Sequence, residues 1–218
     1  MQTDLIQTEK VFTEKEEKTE YEVRTPWGYL WIKRAVDIFA SALGLLICLI
    51  PMGIVAVLIR LESVGPAIFK QERLGIGGKP YTMYKFRSMR IDAEKNGPQW
   101  ATVNDDRCTK VGKIIRLCHV DEIPQLWNVF KGDMSRVGPR PERSYFYDEF
   151  EKDIPNFRQR LKIKPGLTGL SQVNGCYDMT PEQRLAYDKT YMATRGLWTD
   201  LKILLLTVVV VFNGKGAR

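Results

Sequence analysis

The stretch that decides the fold and the chemistry is VDEIPQLWNVFKGDMSRVGPRPE, residues Val120–Glu142. Two adjacent carboxylates, Asp121 and Glu122, open a predicted helix, with Asp121 as its N-cap and Gly132 as its stop. A Lys-Gly-Asp turn follows, and Arg140 then stands between two prolines. Acidic side chains and a conformationally restrained cation this close together indicate a site that handles a phosphate and a metal ion.

Each of these residues also has a purely structural explanation. An aspartate at a helix start is usually a cap, and a glutamate in the first turn is favourable to the helix dipole. Asp133 suits the turn that it occupies. His119, the one histidine of the chain, is expected to be a core or surface residue rather than a catalyst.

Charge is distributed unevenly along the 218 residues. Residues 1–32 carry four basic and seven acidic side chains, whereas the remainder carries 29 basic and 19 acidic ones. A basic body suits anionic lipid, nucleic acid or a phosphorylated substrate. Residues 1–32 are predicted to be a charged tail, and no signal peptide is expected. The four cysteines lack CxxC or zinc spacing, so they are predicted to be reduced thiols in a cytoplasmic compartment.

An apolar run of roughly 22 residues extends from Ile38 to Ile59, about the length that crosses a bilayer core. Pro51 lies near its middle and is expected to bend the helix, and basic residues flank both ends. The flanking charges would place both ends on the cytoplasmic side. The residues alone leave two alternatives open, a spanning helix and a re-entrant helix that turns back at Pro51.

A second apolar run, Ile203 to Phe212, is too short to span a bilayer. Runs of this size are usually core strands or buried helices. Trp198 and Lys202 precede this one, and Lys215 and Arg218 follow it. Such flanks also suit a segment that lies in the membrane interface.

The middle of the chain predicts a mixed α+β pattern. Residues 67–71 and 80–89 read as a β-hairpin with a glycine-rich turn, and GIGG lacks the helix and Lys-Ser/Thr of a phosphate loop. Lys85 and Arg87 share a strand face, which is either solvated or holds a diphosphate. One helix is predicted to begin at Pro141 and another at Thr180, with a capping box; residues 164–175 are predicted to be turn-like.

Several motifs in order resemble the bacterial sugar transferases, also called monotopic phosphoglycosyl transferases, over nearly the whole chain from Lys33. They are KRAVDIFAS, GPAIFKQERLGIGGKPYTMYKFRSMR, DEIPQLWNVFKGDMSRVGPRPE, KPGLTGLSQVNG and YDKTYM followed by LWTDLKILLLT. The resemblance implies an enzyme that moves a sugar-1-phosphate from a UDP-sugar to undecaprenyl phosphate and releases UMP. It also implies the minimal catalytic form of the family.

The resemblance assigns roles by position. Asp121 would be the nucleophile, and Glu122, with Asp121, would bind Mg²⁺. Pro51 would break a re-entrant membrane helix, although Ile50 stands where relatives often have a serine. His119 stands where the commoner pattern has a serine. Phosphate or nucleotide contacts are expected from a further set: Lys85, Arg87, Lys131, Arg140 and Gln172.

The predicted fold is therefore α+β, a helix-break-helix anchor joined to a small, mostly helical domain with a β-hairpin and interfacial helices. The predicted divisions are a tail (1–32), a re-entrant helix (33–62) and a catalytic domain (63–218). The expected partners are a UDP-sugar, undecaprenyl phosphate and lipid of the bacterial inner membrane, with the domain on the cytoplasmic face. A homodimer is compatible with the apolar segments. No nucleic-acid partner is expected, because no motif of a nucleic-acid-binding fold is visible.

Two alternatives from other classes stay open on the sequence. One is a membrane-anchored protein that binds a polyanion through its basic body, and the other is a non-catalytic scaffold for glycan assembly. The intact acid pair argues against the scaffold. The sequence does not specify the sugar.

Overall fold

The computed structural model describes residues 23–95, 97, 99, 105–175 and 179–212. A long helix precedes a mixed unit of short elements. The helices are α1 Tyr29–Glu62, α2 Lys110–Leu117, α3 Gln125–Lys131, α4 Ser144–Asp153, α5 Leu170–Asn174, α6 Pro181–Thr194 and α7 Leu197–Phe212. The strands are β1 Ile68–Leu74, β2 Pro80–Phe86, β3 Ser135–Val137 and β4 Gly166–Thr168. Short 3-10 segments cover Ile76–Gly78, Val120–Glu122 and Phe157–Lys162.

Helix α1 is continuous over 34 residues and includes Pro51 in its interior. The two predicted helices thus form one continuous element, and the turn back at Pro51 stays a prediction. A proline removes one hydrogen bond from a helix, and the long apolar segments on both sides can retain their own. Among the described residues, α1 is the one helix long and apolar enough to cross a membrane by length and composition.

The first half of α1 is fixed to the rest of the molecule by polar contacts. Tyr29 and Lys33 donate to the Asp200 carboxylate of α7 at 3.0 and 2.6 Å. One turn later, the buried Asp37 carboxylate accepts from the Ser135 hydroxyl at 2.7 Å and pairs with Arg136 at 3.2 Å. These contacts hold the start of α1 against β3 and α7.

The second half of α1 also returns to the globular unit. Ile59 packs in a buried cluster with Phe86 of β2 and Ile115 of α2. The Glu62 carboxylate accepts from two backbone N–H groups at the start of α2, Lys110 at 2.7 Å and Val111 at 3.1 Å. Both ends of the apolar helix are thus attached to the same body.

The predicted hairpin is confirmed. Strands β1 and β2 are antiparallel, with Ile68 opposite Phe86 and Leu74 opposite Pro80. Gly77 and Gly78 have positive φ in the connecting turn, so glycine is required for the geometry of the turn. The turn leads into β2 and not into a helix, in agreement with the sequence prediction.

The segment 164–175 was predicted to be turn-like, and this is wrong in part. Gly166–Thr168 forms β4, which pairs in parallel with β3, and α5 follows directly. The pairing depends on small residues, because a Cβ on Gly166 would lie 2.1 Å from the Gly138 amide nitrogen. The sequence signal for a turn came from glycines that allow two backbones to approach closely.

The C-terminal apolar run is a helix, α7, and not a strand. Ile203 is buried, whereas Trp198 is 79% exposed and Leu205 is 61% exposed. An exposed aromatic and aliphatic face of this kind fits the interfacial alternative.

The capping box at the start of α6 is confirmed, with Thr180 and Gln183 bonded reciprocally and Pro181 as the first helical residue. Helix α4 begins at Ser144, later than the predicted Pro141.

A buried ion pair joins α6 to the 3-10 segment Phe157–Lys162. The Arg160 guanidinium donates to the Asp188 carboxylate at 2.5 and 2.9 Å, and both side chains are almost fully buried. Arg160 also donates to the carbonyl of Arg140 at 3.1 Å. This contact fixes the backbone of a residue that the sequence analysis placed in the site.

Asp188→Ala is expected to lower the free energy of unfolding by about 3–5 kcal/mol, because it leaves a buried arginine charge uncompensated. Asp148→Ala is the matched control. It breaks the ion pair between Asp148 and Arg158, two residues before Arg160. Both side chains of that pair are exposed. The control should cost less than about 1 kcal/mol. Thermal unfolding of both variants in one detergent is the measurement, and equal losses would contradict the assignment.

Candidate active site

The acid pair lies in a tight turn between α2 and α3. His119 adopts a left-handed conformation with φ 55° and reverses the chain, and the 3-10 segment Val120–Glu122 follows. Pro124 has no N–H to donate to the carbonyl of Val120, so an α-type hydrogen bond cannot form there. The amide of Ile123 donates to that carbonyl at 3.2 Å instead. The turn exposes only 7% of Asp121.

Asp121 is therefore not the N-cap that the sequence predicted. Helix α3 begins at Gln125, Pro124 occupies the cap position, and no side chain caps the helix. The predicted stop at Gly132 is confirmed, with φ 100° at that residue. The structural explanation for Asp121, helix capping, is thereby removed.

Glu122 is held by two cations from distant parts of the chain. Lys85 of β2 donates to Glu122 Oε1 at 2.8 Å, and Arg140 donates to the same oxygen at 2.9 Å. Arg140 lies between Pro139 and Pro141 in the segment after β3, as the sequence shows. Four of the predicted site residues, Asp121, Glu122, Lys85 and Arg140, thus meet in one place.

The two neighbouring carboxyls have pKa values shifted in opposite directions. Burial alone would raise the pKa of Glu122, but Arg140 and Lys85 outweigh it and hold the pKa well below its usual range. Burial raises the pKa of Asp121, and the attraction of Lys85 opposes this only in part. Glu122 is a firmly ionised anchor, and Asp121 is a poorly solvated carboxyl, a pattern that marks sites where carboxylates have different roles.

A cavity of about 1110 Å³ opens on Asp121, and we call it the polar cavity after the charged side chains in its wall. Ten lysines and arginines line it, against four aspartates and glutamates, so its wall is strongly positive. Lys85, Arg140 and Arg143 are among the cations. A cavity of this size and charge can hold a molecule with two or more phosphates.

A second cavity of about 370 Å³ lies on the other side of Glu122. Its wall is mainly aliphatic and comes from α3, β4, α5 and α7, including Leu126, Leu167, Leu204 and Val210. Five residues line both cavities: His119, Glu122, Arg140, Met179 and Arg184. We call these five residues the shared wall.

The other three predicted site residues bond to partners outside the acid pair. Lys131 pairs with Asp133 at 2.7 Å and lines neither cavity. Arg87 lies in the wall of the polar cavity, and its guanidinium donates to the carbonyls of Ser63 and Val64 at 2.9 and 2.7 Å. Gln172 lines the apolar cavity, where its amide donates to the Leu167 carbonyl at 2.9 Å.

Sequence reasoning missed three charged residues of the site. Glu142, which is 4% exposed, accepts from Arg184 at 2.6 Å and from Arg73 at 3.3 Å. All three line the polar cavity. No spacing in the sequence links them, because they come from β1, the segment before α4, and α6. Only Glu142, at the end of the quoted stretch, had a local signal.

Metal binding here would depend on the substrate. Among the described residues, no group of three or more histidine, cysteine, aspartate and glutamate side chains could hold a metal ion. Asp121 and Glu122 offer two carboxylates, and Mg²⁺ is commonly held by one or two carboxylates together with substrate phosphates and water. The acid pair fits an ion that arrives with a diphosphate.

The sequence profile of the family described as bacterial sugar transferase matches residues 28–214. A UDP-N-acetylgalactosamine-undecaprenyl-phosphate N-acetylgalactosaminephosphotransferase of Aeromonas hydrophila is 41% identical over 193 residues, 87% of this chain and 46% of that protein. A UDP-glucose:undecaprenyl-phosphate glucose-1-phosphate transferase of Caulobacter vibrioides is 45% identical over 184 residues, 81% of this chain and 68% of that protein. The galactosyl transferase CpsE of Streptococcus agalactiae serotype III is 42% identical over 208 residues, 88% of this chain and 44% of that protein.

The match covers most of the chain, so this protein belongs to the bacterial sugar transferase family. The family resemblance in the motifs is thereby confirmed. The chain spans about half the length of several curated relatives, 46% of the Aeromonas protein and 44% of the Streptococcus protein.

The opposite pKa shifts predict opposite effects on stability at pH 7. The raised pKa of Asp121 means that folding disfavours its ionised form, so Asp121→Asn should raise the free energy of unfolding. The lowered pKa of Glu122 means that folding favours its ionised form, so Glu122→Gln should lower that free energy by at least about 1 kcal/mol.

Thermal unfolding against pH tests the pair. The stabilisation from Glu122 is present above its ordinary pKa, about 4.3, and is lost as the pH falls below it. The Asp121 penalty is present above the raised pKa of Asp121 and is relieved as the pH falls through it, so the advantage of Asp121→Asn should shrink in acid. Two variants that shift stability in the same direction at pH 7 would contradict this electrostatic picture.

Proposed function

We propose that this protein transfers a sugar-1-phosphate from a UDP-sugar to undecaprenyl phosphate and releases UMP, the first membrane step of a lipid-linked glycan. The observation that carries the proposal is the position of the acid pair, at the meeting of a basic cavity and an apolar one. Family membership and the names of the relatives support it. A polyanion-binding protein would need the basic surface but not a buried carboxylate beside it.

The reaction proceeds in two displacements. An Asp121 oxygen attacks the β-phosphorus of the UDP-sugar; the bond from that phosphorus to the bridging oxygen breaks, and UMP leaves with the electron pair. An oxygen of undecaprenyl phosphate then attacks the same phosphorus, and the carboxylate is released again. Poor solvation of Asp121 favours its use as a nucleophile.

The two cavities suit the two substrates. The polar cavity takes the nucleotide diphosphate, with Lys85 and Arg140 offsetting the repulsion between phosphates and carboxylates. The apolar cavity takes the first isoprene units of the acceptor, because its aliphatic wall leads away from Glu122 along α7. The rest of the acceptor chain would lie in the bilayer.

Mg²⁺ would be held by Glu122, with Asp121, and would neutralise charge on the diphosphate. One oxygen of Glu122 already pairs with both Lys85 and Arg140, so these residues set where an ion can approach. The protein without a diphosphate should therefore show weak Mg²⁺ affinity.

Helix α1 supports a monotopic attachment to the cytoplasmic face of the inner membrane. A Cβ on Gly44 would lie 3.0 Å from a Leu126 methyl, and Met52 packs against the cluster around Phe86. The seven residues between them, 45–51, extend about 10 Å, whereas a bilayer core is about 30 Å thick. This tip includes exposed Leu46 and Ile50 and would dip into one leaflet, with the domain resting beside it.

Activity is tested by UMP release from purified protein supplied with Mg²⁺, undecaprenyl phosphate and a panel of UDP-sugars. One or more donors should give UMP, and Asp121→Asn should reduce turnover by at least about 10⁴-fold, since it removes the nucleophile. Asp148→Ala, on the exposed face of α4, is the control and should retain activity. Full turnover by Asp121→Asn would remove the nucleophile assignment, and failure with every donor would contradict the proposed function.

Topology is tested by cysteine labelling in a background without the native cysteines. Single cysteines at positions 27 and 64, which flank α1 and are fully and 90% exposed, should both react with a membrane-impermeant reagent from the cytoplasmic side, because both ends of α1 contact one domain. A cysteine at position 46, in the apolar tip, is the control and should be protected. Reaction of positions 27 and 64 from opposite sides would show a spanning helix.

A further inference from the structure

Arg184 projects into the site from a firmly anchored helix turn. The capping box fixes the start of α6, and the amide of Arg184 donates to the Thr180 carbonyl at 3.0 Å. Asp188, one turn further along the same face, is locked in the buried pair with Arg160. The position of Arg184 along and around α6 is therefore set by contacts on both sides of it.

The guanidinium of Arg184 is oriented by a buried carboxylate. Glu142 Oε1 accepts from Arg184 at 2.6 Å, and Glu142 also accepts from Arg73. Burial alone would raise the pKa of Glu142, but Arg73 and Arg184 outweigh it and keep the pKa below its usual range. Glu142 is a permanent negative charge that holds Arg184 in place.

Arg184 belongs to the shared wall, as do Glu122 and Arg140. Most cations of the site line the polar cavity alone; Arg143, which pairs with Glu94 at 2.8 Å, is one of them. A guanidinium is planar and presents N–H donors along more than one edge, so it can be held by a carboxylate and contact a phosphoryl oxygen together.

We propose that Arg184 is a further catalytic residue that contacts the transferring phosphoryl group in both displacements, with Glu142 as its positioning residue. The inference rests on the proposed function and deepens it. In each displacement the non-bridging oxygens of the same phosphorus gain charge, while the donor arrives from one cavity and the acceptor from the other. A cation that faces both cavities can stabilise both transition states. Arg140, which is tied to Glu122, is the second such cation.

The test separates the two half-reactions in single-turnover experiments. The first is UMP formation from enzyme and donor without acceptor. The second is formation of the lipid-linked product after UMP is removed and undecaprenyl phosphate is added. Arg184→Gln should slow both steps, each on the order of 100-fold. Arg143→Gln, the matched control, should affect the first step alone.

Two further variants keep the test decisive. If Arg184→Gln does not fold, Arg184→Lys is assayed in its place. It retains the positive charge but lacks the planar guanidinium with its several N–H donors, so it should slow both steps. Glu142→Gln should also slow both steps, but should add little in the Arg184→Gln background, because it acts through Arg184. Thermal unfolding confirms that each assayed variant is folded.

The inference is overturned if a folded Arg184 variant slows neither step, or only one of them. Additive effects of Glu142→Gln and Arg184→Gln would remove the positioning role of Glu142. A wild-type protein that gives no UMP without acceptor would instead contradict the covalent mechanism under the proposed function. The failures of the two proposals are thus distinguishable.

Discussion

The rest of the site depends on one ionised carboxylate, Glu122, clamped between Lys85 and Arg140. The three side chains come from a 3-10 turn, a β-hairpin and a proline-restrained segment, so this contact ties together elements that are far apart in sequence. It also fixes the neighbouring Asp121 in a poorly solvated position in the wall of the polar cavity.

The buried acid of Asp121 weakens the fold, and other buried pairs offset it. Arg160 with Asp188, and Glu142 with Arg73 and Arg184, form a continuous set of charges behind the site. Each of these pairs also fixes a group that faces the cavities, either the backbone of Arg140 or the guanidinium of Arg184. Stability and the geometry of the site are thus supported by the same contacts, and the poorly solvated Asp121 carboxyl stays in the wall of the polar cavity.

Local signals predicted the elements that local physics decides. The hairpin, the stop at Gly132 and the capping box at Thr180 follow from a few neighbouring residues, and the structure has all three. The motifs likewise predicted that one site contains Asp121, Glu122, Lys85 and Arg140. One error arose where a distant partner decides, because the glycines of 164–175 serve strand pairing. The other was local, because Pro124 turned the expected cap into a 3-10 turn. Arg184 and Glu142 gave no joint signal, because only the tertiary fold brings α6 beside the segment after β3.

The account depends on Asp121 as the nucleophile whose carboxylate becomes covalently bonded to the sugar phosphate. Mass spectrometry of the intact protein and of its peptides, after incubation with donor and Mg²⁺ and without acceptor, tests this directly. A mass increase equal to one sugar phosphate, located on the peptide that contains Asp121 and lost when undecaprenyl phosphate is added, is the predicted result. An enzyme that turns over with acceptor and yet never carries that adduct would contradict the account.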